Sequence, residues 1–317
     1  MKLLAGMLLG LACFAAQAWP TKPVRIVVAY PPGGGIDVLA RQLADKLSPA
    51  WGQPVVVENR PGANTIVATD AVGKSGADGH TVLMTTDATF SINPHLYAKL
   101  AYDAERDFTP VTMLVLLQQL LVAHPALPAN TLEELIKLAK AKPGSINYAS
   151  YGSGSQPHLA GEMLKNKAGI DLVHVPYKGI SLAVPAVIAG EVQLTFAGIA
   201  TSMPQLKAGR IKALATGGAA RSPLLPQVPT FAELGYPEVE THAWFGLFLP
   251  AGSPAQAVER IYRDSKKILD EPEFRLKQLV EKGYEPVGSA PAEFVIYLKK
   301  DREARGRAVR ISGAKAE

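Results

Sequence analysis

Two loops in this chain of 317 residues have a composition that suggests chemistry. Pro31-Pro32-Gly33-Gly34-Gly35-Ile36-Asp37 and Tyr151-Gly152-Ser153-Gly154-Ser155-Gln156 are small-residue segments, each set between an apolar run and a helical pattern. Glycine lets the backbone turn sharply and lets a ligand approach the main chain, and the first N–H groups of a helix have no partner within it. Such a loop at a helix start suits an anion, a carboxylate above all. Each loop is equally explained as a plain strand-to-helix turn, so on composition alone both readings stand. Neither fits a nucleotide or hydrolase motif. The first lacks G-x-G-x-x-G spacing and a following Gly-Lys-Ser/Thr. The second has Gly154 where G-x-S-x-G needs a serine.

The other chemistry-bearing residues are scattered. Six histidines, His80, His95, His124, His158, His174 and His242, show no metal-ligand spacing. His158 stands apart because it falls in the first turn after the second loop, where it could donate to an anion or serve as a local cap. Asp37 and Asp87 are the candidate acid–base pair, but nothing in the spacing brings them together, and Asp37 is accounted for by a helix start. The single cysteine, Cys13, excludes an internal disulfide, a cysteine-rich zinc site and a cysteine-ligated iron–sulfur centre. No catalytic constellation emerges, and no cofactor or metal is expected.

The elements that must position these loops alternate between strand and helix. Val24–Tyr30 is a continuous β-branched run of the kind a strand buried on both faces shows. Ile36, Leu39, Ala40, Leu43 and Leu47 then recur at helical spacing. Val55–Val57 and Thr81–Met84 read as the next strands, and Val111–Ala123 as a buried strand interrupted by Gln118 and Gln119. Thr131-Leu132-Glu133-Glu134 is a capping box opening a helix that Pro143-Gly144 stops. Ser145–Ser150, the second loop and a helix from Pro157 repeat the first unit. Strands at 173–175, 193–196 and 211–216 and a helix over 184–189 follow. A proline-rich stretch after Arg221 leads to an aromatic strand, His242–Leu249, and to helices near 254–269, 272–282 and 291–308. This is an α/β chain of two lobes with a hinged cleft, crossed near 120–128 and 225–250: residues 19–122 plus 236–317 form lobe 1, and 123–235 form lobe 2.

Composition bounds the rest. The chain is 48% apolar and 19% charged, with a mean hydropathy of +0.09, which is the signature of a folding chain rather than a disordered one. Lys2, the apolar run from Leu3 to Ala12 and Ala16-Gln17-Ala18 read as an export signal cut after Ala18, with lipidation at Cys13 as the alternative. The mature chain is then periplasmic. Its net charge of +4 equals that of the C-terminal segment 299–317, a solvated amphipathic helix, so no nucleic-acid partner is expected.

The order of several segments resembles the Bug family, the extracytoplasmic solute receptors of tripartite tricarboxylate transporters. Pro23–Val28 leads into Tyr30-Pro31-Pro32-Gly33-Gly34-Gly35-Ile36-Asp37. Then come Glu58-Asn59-Arg60-Pro61-Gly62-Ala63, Asp78–Met84, Ile92-Asn93-Pro94-His95-Leu96-Tyr97, Asp107–Val111, Tyr151–Glu162, His174–Gly179 and Leu225–Thr230. The resemblance implies a type 2 periplasmic binding protein that closes on a small carboxylate and delivers it to the transporter's membrane components as a monomer. It implies ligand contacts from Tyr30, Pro32, Gly34, Gly35, Ile36 and Asp37, and from Asp87, Ala88, Ser153, Ser155, Gln156 and His158, and Ala197 is a further candidate ligand-binding residue. Two departures stand out. Asn64-Thr65 replaces a Gly-Gly that many relatives carry, and Ala197 stands where relatives often have an aspartate after Phe196, which favours a simple carboxylate over an amino acid. A periplasmic hydrolase or lyase, or a sensing subunit for a two-component system, is the alternative.

Overall fold

The structure, a computed structural model, describes residues 19–218, 220–239 and 241–314. The expected leader, its cut after Ala18 and Cys13 lie outside the described residues. Strand β1 (Val24–Val28) is followed by α1 (Gly35–Trp51), β2 (Val55–Asn59), α2 (Ile66–Gly73) and β3 (Thr81–Thr86). A π-helical turn at Ala88–Ile92 runs into α3 (Asn93–Leu96), and the long strand β4 spans Phe108–Ala123. Next come α4 (Leu132–Ala141), β5 (Asn147–Ser150), α5 (Gln156–Ala168), β6 (Val173–Pro176), α6 (Ile180–Ala189), β7 (Leu194–Gly198), α7 (Ile199–Lys207) and β8 (Lys212–Thr216). The chain ends with β9 (His242–Pro250), α8 (Ala255–Asp270), α9 (Pro272–Phe274), β10 (Tyr284–Pro286) and α10 (Pro291–Ser312).

The sheet order is β2-β1-β3-β9-β4-β7-β5-β6, with β8 and β10 also pairing β4. β1 is parallel to both β2 and β3, which explains its continuous β-branched sequence and burial. β4 changes partners along its length. Phe108 to Gln118 pair with β9, ending at Gln118 opposite His242, and Gln119 to Ala123 pair with β7. The two glutamines that interrupt its apolar run thus mark the handover, and Gln119 is 2% exposed. Its backbone is tied to the returning chain, since Gln119 N–H donates to Thr241 O at 3.2 Å and Thr241 Oγ1 donates to Gln119 O at 3.0 Å.

Apolar clusters form on both faces of each half. Leu39, Leu43 and Leu47 of α1 pack with Ile261 and Leu269 of α8, and Leu135 of α4 packs with Tyr148, Leu164 and Phe196. The N-cap half of the box forms, with Glu134 N–H donating to Thr131 Oγ1 at 3.1 Å, whereas the Glu134 carboxylate reaches one residue further back and accepts from Asn130 N–H at 2.5 Å. Helix α10 lies across both halves. Phe294 and Leu298 near its start pack with Trp244 and Phe248, whereas Val309 near its end closes a small cluster with Ile92 and Leu159 of α5.

Some elements depart from the sequence pattern. The helix expected at 272–282 breaks into α9, a π-helical turn at Arg275–Leu279 and a 3-10 turn at Val280–Lys282, ended by Gly283 at φ 78°. α2, the helical stretch over 88–96 and α7 were not legible. α2 begins after a left-handed run at Ala63, Asn64 and Thr65 (φ 44°, 46° and 77°) that no propensity favours, and α7 carries Pro204 in its interior.

Gly161 in α5 faces the buried ring of Tyr148, where a Cβ would lie 2.3 Å from Cε2. Gly161→Ala should lower stability by about 1–3 kcal/mol through overpacking, despite the better helix propensity of alanine. Urea unfolding checks this; an unchanged midpoint would mean the Tyr148 ring moves aside at no cost.

Candidate functional site

The first glycine loop leaves the carboxyl end of β1 and enters α1, whose N-cap is Gly34. Asp37 fixes its shape. The carboxylate is 3% exposed and accepts from Gly33 N–H at 2.9 Å, from Arg41 Nε and Nη2 at 3.1 and 2.9 Å, and from Asn59 Nδ2 at 2.9 Å. The same Asn59 amide donates to Tyr30 O at 3.0 Å, so one side chain of β2 joins both ends of the loop. Burial works against the charge of Asp37, but the hydrogen bonds from Arg41, Gly33 and Asn59 outweigh it and hold the carboxyl below its usual range.

The second loop leaves β5 and enters α5 with Ser155 as its N-cap. Two stacked imidazoles hold it from beneath. His158 and His174 lie 3.9 Å apart at 7°; Gly154 N–H donates to His158 Nδ1 at 2.9 Å, and His174 Nε2 lies 2.7 Å from Ser150 Oγ. Ser150 Oγ in turn accepts from Gly152 N–H and donates to Gly152 O. Burial, with the neighbouring His158, pushes His174 down to about 3, so the stack stays uncharged on that side at neutral pH. Gly154 has φ 81°, and a Cβ there would lie 1.8 Å from Leu96 Cδ2 of α3.

Both loops open on one cleft of about 690 Å³ between the halves. Of the residues expected to bind ligand, Tyr30, Gly34, Gly35, Ile36, Asp87, Ala88 and Gln156 line it. The other six do not. Pro32 is exposed and Pro31 lines the cleft in its place, while Asp37 is turned into the hydrogen bonds just described. His158 is used beneath its loop. Ser153 lines a neighbouring pocket with Tyr97 and Lys178; Ser155 is 1% exposed at the start of α5. Ala197 packs at 0% exposure among Leu120, Ala149 and Val184, and Gly198 faces the cleft instead.

The remaining walls come from residues that sequence reasoning missed. Leu117 and Gln119 of β4, Phe245 of β9 and Tyr284 of β10 form the floor, and Ile180, Ser181 and Thr201 come from the starts of α6 and α7. Gln118-Gln119 was the available signal, as polar residues inside a buried strand. Tyr30 Oη lies 3.1 Å from Thr86 Oγ1, and Tyr151 Oη donates to Phe196 O at 2.9 Å and lies 3.3 Å from Gln119 Oε1. Burial pushes both phenols well up, so they stay neutral. Among the described residues no lysine, arginine or histidine lines the cleft. Among the described residues there is no group of His, Cys, Asp and Glu that could hold a metal ion. The arrangement is a mainly apolar chamber with neutral polar groups and glycine backbone at two helix starts, suited to holding a small molecule by its ends.

Its overall architecture is that of the periplasmic binding proteins: the structure of BugD, a periplasmic binding protein, matches with a TM-score of 0.89 and 30% identity over 94% of this chain and 100% of that one. An R. palustris protein solved with adipate matches with a TM-score of 0.90 and 33% identity over 94% of this chain and 100% of the other. MatC from Rhodopseudomonas palustris, with bound malate, matches with a TM-score of 0.87 and 30% identity over 92% and 100%. The tripartite tricarboxylate transporter family receptor pattern covers residues 39–312, and the chain belongs to that family. The resemblance drawn from the ordered segments is thereby borne out, and the family and fold are those of a solute-binding receptor. No helix among the described residues is long and apolar enough to cross a membrane.

Asp37→Asn should cost about 1–3 kcal/mol at neutral pH, because Arg41, Gly33 and Asn59 lose an ionised acceptor. A carboxyl held below its unfolded pKa of 3.8 contributes stability that is present above that value and lost as pH falls through the lower folded one. The gap between variant and wild type should therefore narrow below about pH 4 in urea titrations; a gap that stays constant would show that Asp37 is held by packing instead.

Proposed function

We propose that this chain captures a small carboxylate between its halves and presents it to the membrane components of a tripartite transporter. One observation carries the reading: the starts of α1 and α5, one from each half, meet at one cleft that no cationic side chain among the described residues lines. Main-chain N–H groups at helix starts supply positive potential without a mobile charge. Gly34 and Gly35 leave room for direct approach on one side and Gln156 offers an amide on the other, with Tyr30, Ile36, Asp87 and Ala88 completing the wall. Closure around the ligand would exclude water from these bonds, and hydrogen bonds to an ionised acceptor are about twice as strong as neutral ones. The carboxylates bound by the two R. palustris proteins support the same ligand class.

We infer that the chain works as a monomeric receptor rather than an enzyme, a reading its membership of a receptor family supports. We assign residues 19–122 with 236–317 to one lobe and 123–235 to the other. β4 and the segment leading into β9 carry the two crossings. The leader at 1–18 sends it to the periplasm.

Thermal unfolding of residues 19–317, refolded to remove carried ligand, tests the reading against di- and tricarboxylates, aromatic acids and amino acids. Ligand at 100 times its Kd adds about 2.7 kcal/mol, a shift of about 5 °C in a chain of this size. Gly35→Ala should reduce that shift, because its Cβ would fall 2.3 Å from the Tyr284 hydroxyl at the cleft wall. If no acid shifts a demonstrably folded protein, the carboxylate reading is wrong.

A further inference from the structure

Asp87 is the one carboxylate among the residues lining the cleft. It follows β3 directly, is 1% exposed, and its Oδ2 accepts no hydrogen bond among the described residues. Its nearest cation is Arg305 of α10, 4% exposed, whose Nη2 lies 3.5 Å from Oδ2. That arginine is engaged elsewhere. Its Nη2 donates to His242 O at 2.6 Å, and its Nε lies 3.4 Å from Asp301 Oδ1. Asp301, 6% exposed, accepts from Trp244 Nε1 at 2.9 Å through Oδ2. The buried group thus sets two carboxyls against one guanidinium, and Asp87 Oδ2 faces that guanidinium at 3.5 Å, without a hydrogen bond. A buried carboxylate in that condition is costly unless something supplies the missing hydrogen bond or charge.

We propose that Asp87 is the specificity determinant of the cleft, accepting a hydrogen bond from an ammonium or hydroxyl group on the ligand, so that amino and hydroxy acids are preferred over unsubstituted ones. The inference rests on the carboxylate reading and narrows it. A second carboxylate placed against Asp87 would meet like charge, whereas a donor would complete the group's charge and its hydrogen bonding. Ala197 brings no acid after Phe196; Asp87 brings one from the other half of the molecule.

The surroundings make this preference depend on pH. Burial pushes Asp87 up to about 7, with Arg305 pulling it down and Asp301 pushing it further up. The phenols of Tyr30 and Tyr151 are the other titratable groups facing it, and burial keeps both neutral. The accepting, ionised form therefore grows as pH rises through neutrality.

Matched acids test the proposal by calorimetry: succinate, malate and aspartate, and 3-phenylpropionate, phenyllactate and phenylalanine, on wild type and Asp87→Asn at about pH 6 and pH 8. At the higher pH a substituted acid should bind wild type about tenfold or more tighter than its parent, the size of one hydrogen bond to a charged group. That ratio should shrink at the lower pH and collapse in Asp87→Asn. A parent acid that binds wild type as tightly as its substituted partners at the higher pH overturns the proposal while leaving the carboxylate reading intact, and so does a ratio that survives in the variant. The wild-type ratio decides the matter alone if the variant does not fold. Binding by none of the six acids, with the thermal panel also silent, overturns both.

Discussion

β4 hydrogen-bonds to strands of both halves, and the position of almost every cleft residue follows from where it changes partner. Up to Gln118 it lies beside β9; from Gln119 it lies beside β7. A sheet fixes register because a slip of one residue turns every side chain to the opposite face. Leu117 and Gln119 therefore reach the cleft together, while Gln118 between them faces the other way toward Gly218 and Thr216. The tie between Gln119 and Thr241 fixes the second crossing against the first, so the two halves are joined by adjacent strands rather than by loose linkers.

On this shared sheet the two glycine loops solve the same problem with different side chains. Glycine-rich loops are conformationally costly to order. The first loop is ordered by one carboxylate that gathers donors from its own turn, from α1 and from β2. The second is ordered by two stacked imidazoles, with the hydroxyl of Ser150 between the His174 ring and the backbone. Neither device spends the helix-start N–H groups on a local side-chain cap, since Gly34 and Ser155 make no side-chain cap hydrogen bond.

Much of the fold was legible because its signals are local. The unbroken Val24–Val28 run, the Thr131–Glu134 box and the proline-started α5 each fit one element only. The cleft was legible where it is built from those elements, hence Tyr30, Gly34, Gly35, Ile36 and Gln156. Phe245 and Tyr284 were not, because they arrive by way of a sheet order that sets β9 between β3 and β4, and no local pattern encodes that order. Asp37 and His158 belong to the expected loops but hold them in shape instead of facing the cleft. An acid or an imidazole in a first turn has the same sequence signature whether it faces a ligand or its own backbone. The pairing of Asp87 with Arg305 spans more than two hundred residues and becomes visible only when α10 packs behind β9.

Helix α10 touches the first half through Phe294 and Leu298 and the second through Val309, which meets Leu159 and Ile92 in a cluster with few other members. Any rotation that parts the halves must either carry the end of this helix along or pull Val309 away from Leu159. The second route exposes apolar surface with almost no enthalpy change near room temperature and a large heat capacity, so its resistance weakens on cooling. The clasp behind the cleft is thus a thermal element as well as a mechanical one, since the cost of pulling Val309 from Leu159 depends on temperature.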